Sequence, residues 1–341
     1  MKLDIIAFTA RGAALAERLL TLYPGSGATA PKRYCHGLIR SLDNLQSWTR
    51  EHFQAGRTLV FIGSAGIAVR AIAPFIEDKT ADAAVICMDE DGEHIIPLLC
   101  GHIGGANRAA KKLAKSLGGR AVITTATDLN GVFAADDWAS RGNCAIADPS
   151  AVKYISAALL GGETVGLRCA FPIKGGLPAG ISSEAAAENG IEIAMNSTAP
   201  FPRTLHIIPR VIVAGIGCRK DIPAGLLEKR LREALVKVNM PITAVSTIVT
   251  IDIKSKEPGL TQLCDGLNAR FVTYPAEELM SAQGEFAGSK RVLQATGADN
   301  VCERAVVLAG ARLIAGKSAA EGVTVALGIQ DWSAIFEEGF D

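Results

Sequence analysis

The sequence predicts an α/β protein: a Rossmann-like amino-terminal domain with a short-strand extension, then a smaller mixed α/β domain. Three observations lead there. Apolar strand, small-residue turn and apolar-periodic helix recur in that order along the chain. Only 5% of residues are aromatic while 35 are glycine, so the core is built from Ala, Val, Ile and Leu, the stock of buried strands and close-packed crossover helices. The length of 341 residues suits two domains, or two and a half, at roughly 100–200 residues each.

The elements follow in order. Leu3–Thr9 reads as a buried strand and Ala13–Leu22 as a helix, with apolar spacing at Leu15, Leu19 and Leu22. Thr58–Gly63 is a second strand, turning at Ser64-Ala65-Gly66 into the helix Ile67–Ile72. Further strands are expected at Ala83–Met88, Arg120–Thr125, Thr164–Cys169 and Ile191–Met195. Val211–Gly215 repeats the unit, with a turn at Gly217-Cys218-Arg219-Lys220 before a helix around Ala224–Leu235. Ser246–Ile253 and Val323–Leu327 read as strands, and the stretch from Asn300 through Leu313 as a helix. Turn formers crowd the interval before Arg210 (Pro172, Gly175, Gly176, Pro178, Gly180, Pro200, Pro202, Pro209). The expected organisation is a first domain at 1–142, a middle extension and linker at 143–210, and a second domain at 211–341.

Composition excludes several functions. Lys and Arg number 35 against 35 Asp and Glu, for a formal charge of zero; nucleic-acid binders carry a strong basic surplus. The longest apolar stretches fall short of the ~18 residues a membrane helix needs. Eight cysteines are scattered without a CxxC or a Cys/His cluster at zinc spacing. No protein metal site is expected, and the start of the chain lacks a secretory pattern. A reduced, cytoplasmic protein is the expectation.

The densest candidate segment follows the third of these strands. Gly101, Gly104 and Gly105 surround His102 directly ahead of a helix at Arg108–Leu117, with Asn107 at its mouth. Glycines there let backbone approach a ligand and expose N–H groups that attract carboxylates or phosphates. The helix dipole would disfavour a cationic His102, which suits a neutral base or donor near pH 7. The competing reading is a tight turn in which His102 merely bonds a neighbouring carbonyl. Thr125, Thr127 and Asp128 end the next strand, where open α/β sheets collect ligands; closing a turn or capping a helix explains them equally.

In the second half, Gly215-Ile216-Gly217 lacks the third glycine and the distal acid of a dinucleotide loop. Arg219 and Lys220 at a helix start make better sense as an anion clamp. Period-2 spacing would put Asp252, Lys254 and Lys256 on one strand face with Glu257 opening the next turn. That is either a solvated edge or a polar site wall. Asn300 and Glu303 fit a helix-capping pair, with Lys317 near that helix's far end. Walker, serine-elbow and HExxH motifs are absent from the sequence.

These segments carry a resemblance. Gly66–Val85, Asp89–Asn107, Val122–Gly131 and Asp136–Ala139 resemble the amino-terminal domain of the CbiG family, and Val211–Pro223, Thr250–Leu260, Thr296–Lys317 and Val323–Gly328 resemble the CbiG/CobE carboxyl-terminal domain. The similarity spans nearly the whole chain in the family's order. Departures are small: Ala83-Ala84 stands where a proline is expected, and Ala298-Asp299 replaces a hydrophobic and a small residue.

The resemblance implies a cobalt-precorrin-5A hydrolase of anaerobic cobalamin biosynthesis, opening the δ-lactone of a ring-contracted cobalt corrinoid and releasing C20 as acetaldehyde to give cobalt-precorrin-5B. Cobalt would be carried by the substrate, so no cofactor is implied. The partner would be that cobalt corrinoid, without nucleic acid or membrane; a homodimer and transient contact with neighbouring pathway enzymes are compatible with it. His102 is the first choice for base or water orienter, with Asp128 or Asp252 orienting it or relaying a proton. Gly66, Gly101, Gly104, Gly105, Asn107, Thr125, Gly217, Arg219, Lys220, Lys254, Lys256 and Glu257 are the candidate substrate contacts, and the substrate would lie between the two halves. The alternatives are a non-catalytic corrinoid carrier and a nucleotide-dependent enzyme resting on Gly215 and Gly217.

Overall fold

In the first of two units, residues 1–140 with 159–162, the continuous apolar runs become strands buried on both faces. The computed structural model describes residues 1–336 apart from 79, 80, 103 and 185. The strands are β1 (Asp4–Ala7), β2 (Gly27–Ala30), β3 (Ile39–Ser41), β4 (Thr58–Ile62), β5 (Ala84–Met88), β6 (His94–Leu99) and β7 (Arg120–Ala121). They form one sheet ordered β3-β2-β1-β4-β5-β6-β7. The first five are parallel, β6 runs antiparallel to β5, and β7 is parallel to β6. Strand order reverses between β1 and β4, as in doubly wound folds.

Helices cover both faces. α1 (Ala10–Leu22) buries Leu15 and Leu19 on one, while α2 (Leu45–His52) and α3 (Ala65–Ile72) bury Trp48, Ala68 and Ile72 on the other. α4 (Ala106–Leu117) joins α1 through Ala110 and Leu113. Two short helices follow, α5 (Ala126–Leu129) and α6 (Ala135–Arg141). The strand expected to run to Thr125 pairs only over Arg120–Ala121.

The second unit comprises 141–158 and the chain from Glu163 onward. β8 (Cys144–Ile146) and α7 (Val152–Leu160) lead to β9 (Val165–Cys169), β10 (Ile173–Lys174), β11 (Ile181–Ser182), β12 (Asn189–Ile193) and β13 (Arg203–Pro209). Their five-stranded sheet has the order β11-β9-β12-β13-β8, with β8 antiparallel at its edge. Paired Gly166 and Gly190 form a floor for the Phe201 ring; a Cβ on either would fall within 2.2 Å of that ring.

A second five-stranded sheet, β16-β15-β14-β18-β17, uses β14 (Ile212–Cys218), β15 (Val245–Ile251), β16 (Arg270–Tyr274), β17 (Arg312–Ala320) and β18 (Val323–Ile329). α8 (Ala224–Lys237) and α9 (Pro258–Leu267) pack on one face through Leu227, Leu231 and Leu263. α10 (Ala276–Ser281), α11 (Lys290–Thr296) and α12 (Val301–Leu308) follow β16, and Leu279, Val301 and Val306 build the core of the other face. Finally β19 (Ala334–Ile335) returns to pair with β10. Among the described residues no helix is long and apolar enough to cross a membrane.

The fold departs from the sequence expectation at three places. Gly217 and Cys218, expected to open a turn, lie with Gly215 inside β14. A Cβ on Gly215 would sit 2.0 Å from the Cys302 carbonyl oxygen and one on Gly217 2.5 Å from Thr324 Oγ1, so these glycines serve close packing. β15 ends at Ile251, and Asp252–Lys254 coil into one 3₁₀ turn, which breaks the alternation that aligned Asp252, Lys254 and Lys256. Asn300 does cap α12 by accepting from the Glu303 amide, but the helix stops at Leu308 and Lys317 belongs to β17; Gly310 at φ +72° ends it.

Candidate active site

β6 runs against its parallel neighbours, so its carboxyl end opens on the edge where β4 and β5 begin. The His102 turn sits there. Gly101 leaves room for Asn107, whose Oδ1 would lie 2.7 Å from a Cβ, and Gly104 crosses Cys100 too closely for any side chain. Gly105 adopts φ +78°. The amides of Gly105, Ala106 and Asn107 donate to the carbonyls of His102, Cys100 and Gly101. Those N–H groups are consumed within the turn, contrary to the expected anion cradle, and what the turn presents is the imidazole.

That imidazole is held between two carboxylates. His102 Nε2 lies 2.9 Å from Asp128 Oδ2, and Nδ1 lies 3.3 Å from Asp136 Oδ1. The three side chains are only 15%, 17% and 9% exposed. Asp128 closes α5 and Asp136 opens α6, so two short helices aim one carboxylate each at opposite ring nitrogens. Asp128 also accepts from Asn107 Nδ2 at 2.9 Å, Lys111 Nζ at 2.7 Å and Thr125 Oγ1 at 3.1 Å. Thr127 Oγ1 is 3.3 Å from His102 Nε2.

The electrostatics reverse one expectation. The Asp136 hydrogen bond, outweighing the burial that opposes it and joined by Asp128, raises His102 to about 9. Both ring nitrogens then carry protons, and the residue is an imidazolium at neutral pH. Two nearby full charges outweigh the partial charge of the α4 terminus. Burial works against ionisation of Asp128, but Lys111 and His102 prevail and hold it down at about 2. Asp136 is likewise lowered, by His102 against its burial. The cluster therefore offers a confined proton donor flanked by fixed anions.

The structure thus brings together His102, Asp128, Asn107 and Thr125, and adds Asp136 and Lys111, which sequence reasoning missed as site residues. Their signals were present: Asp136 opens a helix beside a tryptophan, and Lys111 follows Asn107 by one turn of α4. Gly66 is not part of this cluster; it lies in the first turn of α3 at the carboxyl end of β4, on the opposite edge of the sheet.

The other candidates belong to the second unit. Arg219 and Lys220 follow β14 and are exposed, as are Asp252 and Lys256 after β15. Lys254 is turned inward instead, its Nζ donating to Glu257 Oε2 at 2.7 Å, so its charge is neutralised within the protein. No group of three or more His, Cys, Asp or Glu side chains that could hold a metal ion occurs among the described residues.

Comparison with known proteins connects the two units. Residues 47–128 match the family described as cobalamin synthesis G N-terminal, and 212–328 match cobalamin synthesis G C-terminus. A cobalt-precorrin-5A hydrolase from Salmonella typhimurium is 34% identical across 95% of this chain and 97% of its own length. Another from Priestia megaterium is 27% identical over 95% and 94%. A crystal structure described as a cobalamin biosynthesis protein G homolog from Sulfolobus solfataricus is 20% identical over 97% of each chain, with a TM-score of 0.41. On its near-complete likeness to the Salmonella relative and the matches in both halves, the chain belongs to the CbiG family of cobalamin synthesis.

Proposed function

We propose that this protein is a cobalt-precorrin-5A hydrolase, cleaving a carbon–carbon bond of a cobalt corrinoid and releasing acetaldehyde. The observation that carries the reading is the 34% identity to a hydrolase of that name over almost the full length of both chains. Cobalt enters with the substrate, and the chain's own residues supply proton transfer.

In this reading His102 is a proton shuttle, an acid first and a base second. Water adds to the lactone carbonyl carbon, the acyl–oxygen bond breaks, and the departing C20 alkoxide takes the His102 proton. Both protons that came with the water are released, one as it adds and one as the new carboxylic acid ionises. Neutral His102 then removes the C20 hydroxyl proton as the carbon–carbon bond breaks. Its electron pair stays with the macrocycle carbon, which takes up a proton, and acetaldehyde leaves. One water is consumed overall. Asp128 and Asp136 stabilise the imidazolium each time it forms, and general acid–base catalysis of this kind contributes about 10²–10⁴-fold.

The test is acetaldehyde release from authentic cobalt-precorrin-5A. Wild type is expected to release it stoichiometrically and His102→Gln to lose it by about a hundredfold or more. Tight binding of the corrinoid by wild type without acetaldehyde would replace the hydrolase with the carrier.

A further inference from the structure

The geometry points to the Arg219–Asp221 loop of the second unit as a preformed carboxylate grip, with Glu257 as the residue that positions it. Three contacts fix this loop. The Arg219 amide donates to the Gly322 carbonyl at 3.0 Å. Asp221 is held at φ +58°, a left-handed conformation uncommon outside glycine, and its amide donates to Glu257 Oε1 at 2.6 Å. Beyond it, the Ile222 carbonyl meets α9 so closely that a Cβ on Gly259 would lie 2.0 Å from its oxygen.

Glu257 is 6% exposed and is the N-cap residue of α9, but its side chain accepts no capping hydrogen bond. Its carboxylate instead bridges the Asp221 amide to the Lys254 ammonium. Lys254 therefore satisfies the buried anion rather than a ligand, as an unpaired buried carboxylate would be costly. Arg219 and Lys220 are exposed on the loop that Glu257 fixes; the Lys220 charge acts on the Glu257 carboxylate through space, and both side chains face solvent. Strain maintained by surrounding contacts is characteristic of pre-organised binding loops, and a planar guanidinium suits bidentate capture of a carboxylate. The ligand class is a polycarboxylate, and identifying it with the peripheral carboxylates of a corrinoid rests on the hydrolase reading.

Two measurements separate the claims. The first titrates the full chain with an octacarboxylate porphyrin and with its uncharged octamethyl ester, at low and high salt. Wild type is expected to bind the acid in a salt-sensitive manner and the ester at least tenfold more weakly. Arg219→Ala with Lys220→Ala should weaken the acid about tenfold without lowering the melting temperature. Lys254→Met with Glu257→Leu removes the bridge and should weaken binding similarly, whereas Lys254→Met with Glu257→Gln keeps an acceptor for the Asp221 amide and should restore it. Binding by the Arg219/Lys220 double variant equal to wild type overturns the grip. Equal binding by the Leu and Gln pairs overturns the role of Glu257. The second measurement is acetaldehyde release, where the grip predicts a raised KM with kcat unchanged in the Arg219/Lys220 variant. Failure of wild type to release acetaldehyde would defeat the hydrolase reading while the porphyrin titration still decides the loop.

Discussion

His102 owes its charge to Asp136, eight residues beyond Asp128 in α6, rather than to its own turn. Removing that neighbour should reveal the dependence. In Asp136→Asn, ¹⁵N-histidine NMR of the whole protein is expected to show the His102 titration fall from near 9 by a unit or more; an unchanged titration would mean that Asp128 alone sets it. The same charge links the site to stability. A folded-state value of about 9 against an ordinary 6.5 stabilises the fold fully below pH 6.5, and that contribution disappears as pH rises through 9. The shift corresponds to about 3 kcal/mol. Urea denaturation of wild type and His102→Gln at pH 6 and pH 9.5 should show wild type losing more stability by roughly that amount. Asp128, lowered to about 2, works in the other direction: its contribution is present above the usual carboxylate range and is lost as pH falls through 2.

At the scale of elements, two contacts between glycine and its neighbours fix the packing of the second unit. Gly190→Ala would drive a methyl into the Phe201 ring and Gly215→Ala one into the Cys302 carbonyl; each is expected to cost about 1–3 kcal/mol by overpacking. Gly225→Ala in α8, where nothing lies within 4 Å, should instead gain about 0.4–1 kcal/mol. Thermal melts of the three variants would check the order. The same contacts explain what the sequence could and could not reveal. Buried runs such as Ala84–Met88 and Val245–Ile251 were legible because continuous apolarity has few outlets other than an interior strand. Gly217 reads as a turn and is a strand residue, because close approach and tight turning select the same residue. The alternation of charges after Thr250 misled because nothing local marks where β15 coils into a 3₁₀ turn. His102 and Asp128 were found as neighbours of chain motifs; Asp136 was missed because its meeting with His102 depends on how α6 folds back. Doubly wound sheets collect ligands where strand order reverses, which here is between β1 and β4. There Phe8 lies against Gly63 and Thr9 donates to Glu90 at 2.7 Å, beside the Arg11–Asp91 pair.

At the scale of the molecule, the second unit is held together by long-range ties that composition cannot announce. Arg210, between β13 and β14, donates to the carbonyls of Val245, Leu267 and Asn268, joining the linker to one sheet and to the carboxyl end of α9. Arg210→Ala is expected to destabilise the protein by about 1.5–3 kcal/mol through those charged hydrogen bonds, read as a lower midpoint in urea. A neutral chain overall still sets its charges apart: an enclosed cation in the first unit, exposed ones on a fixed loop in the second.

The return of β19 to β10 has a consequence during synthesis. Ile173 and Lys174 pair with Ala334 and Ile335, and Phe171 stacks edgewise on Trp332. A ribosome delivers Phe171 long before Trp332, so this patch stays open while the whole intervening sheet is being made. The nascent chain can finish its first unit early, yet it must wait for its latest residues to cover this one, and Trp332 fluorescence would report when that happens.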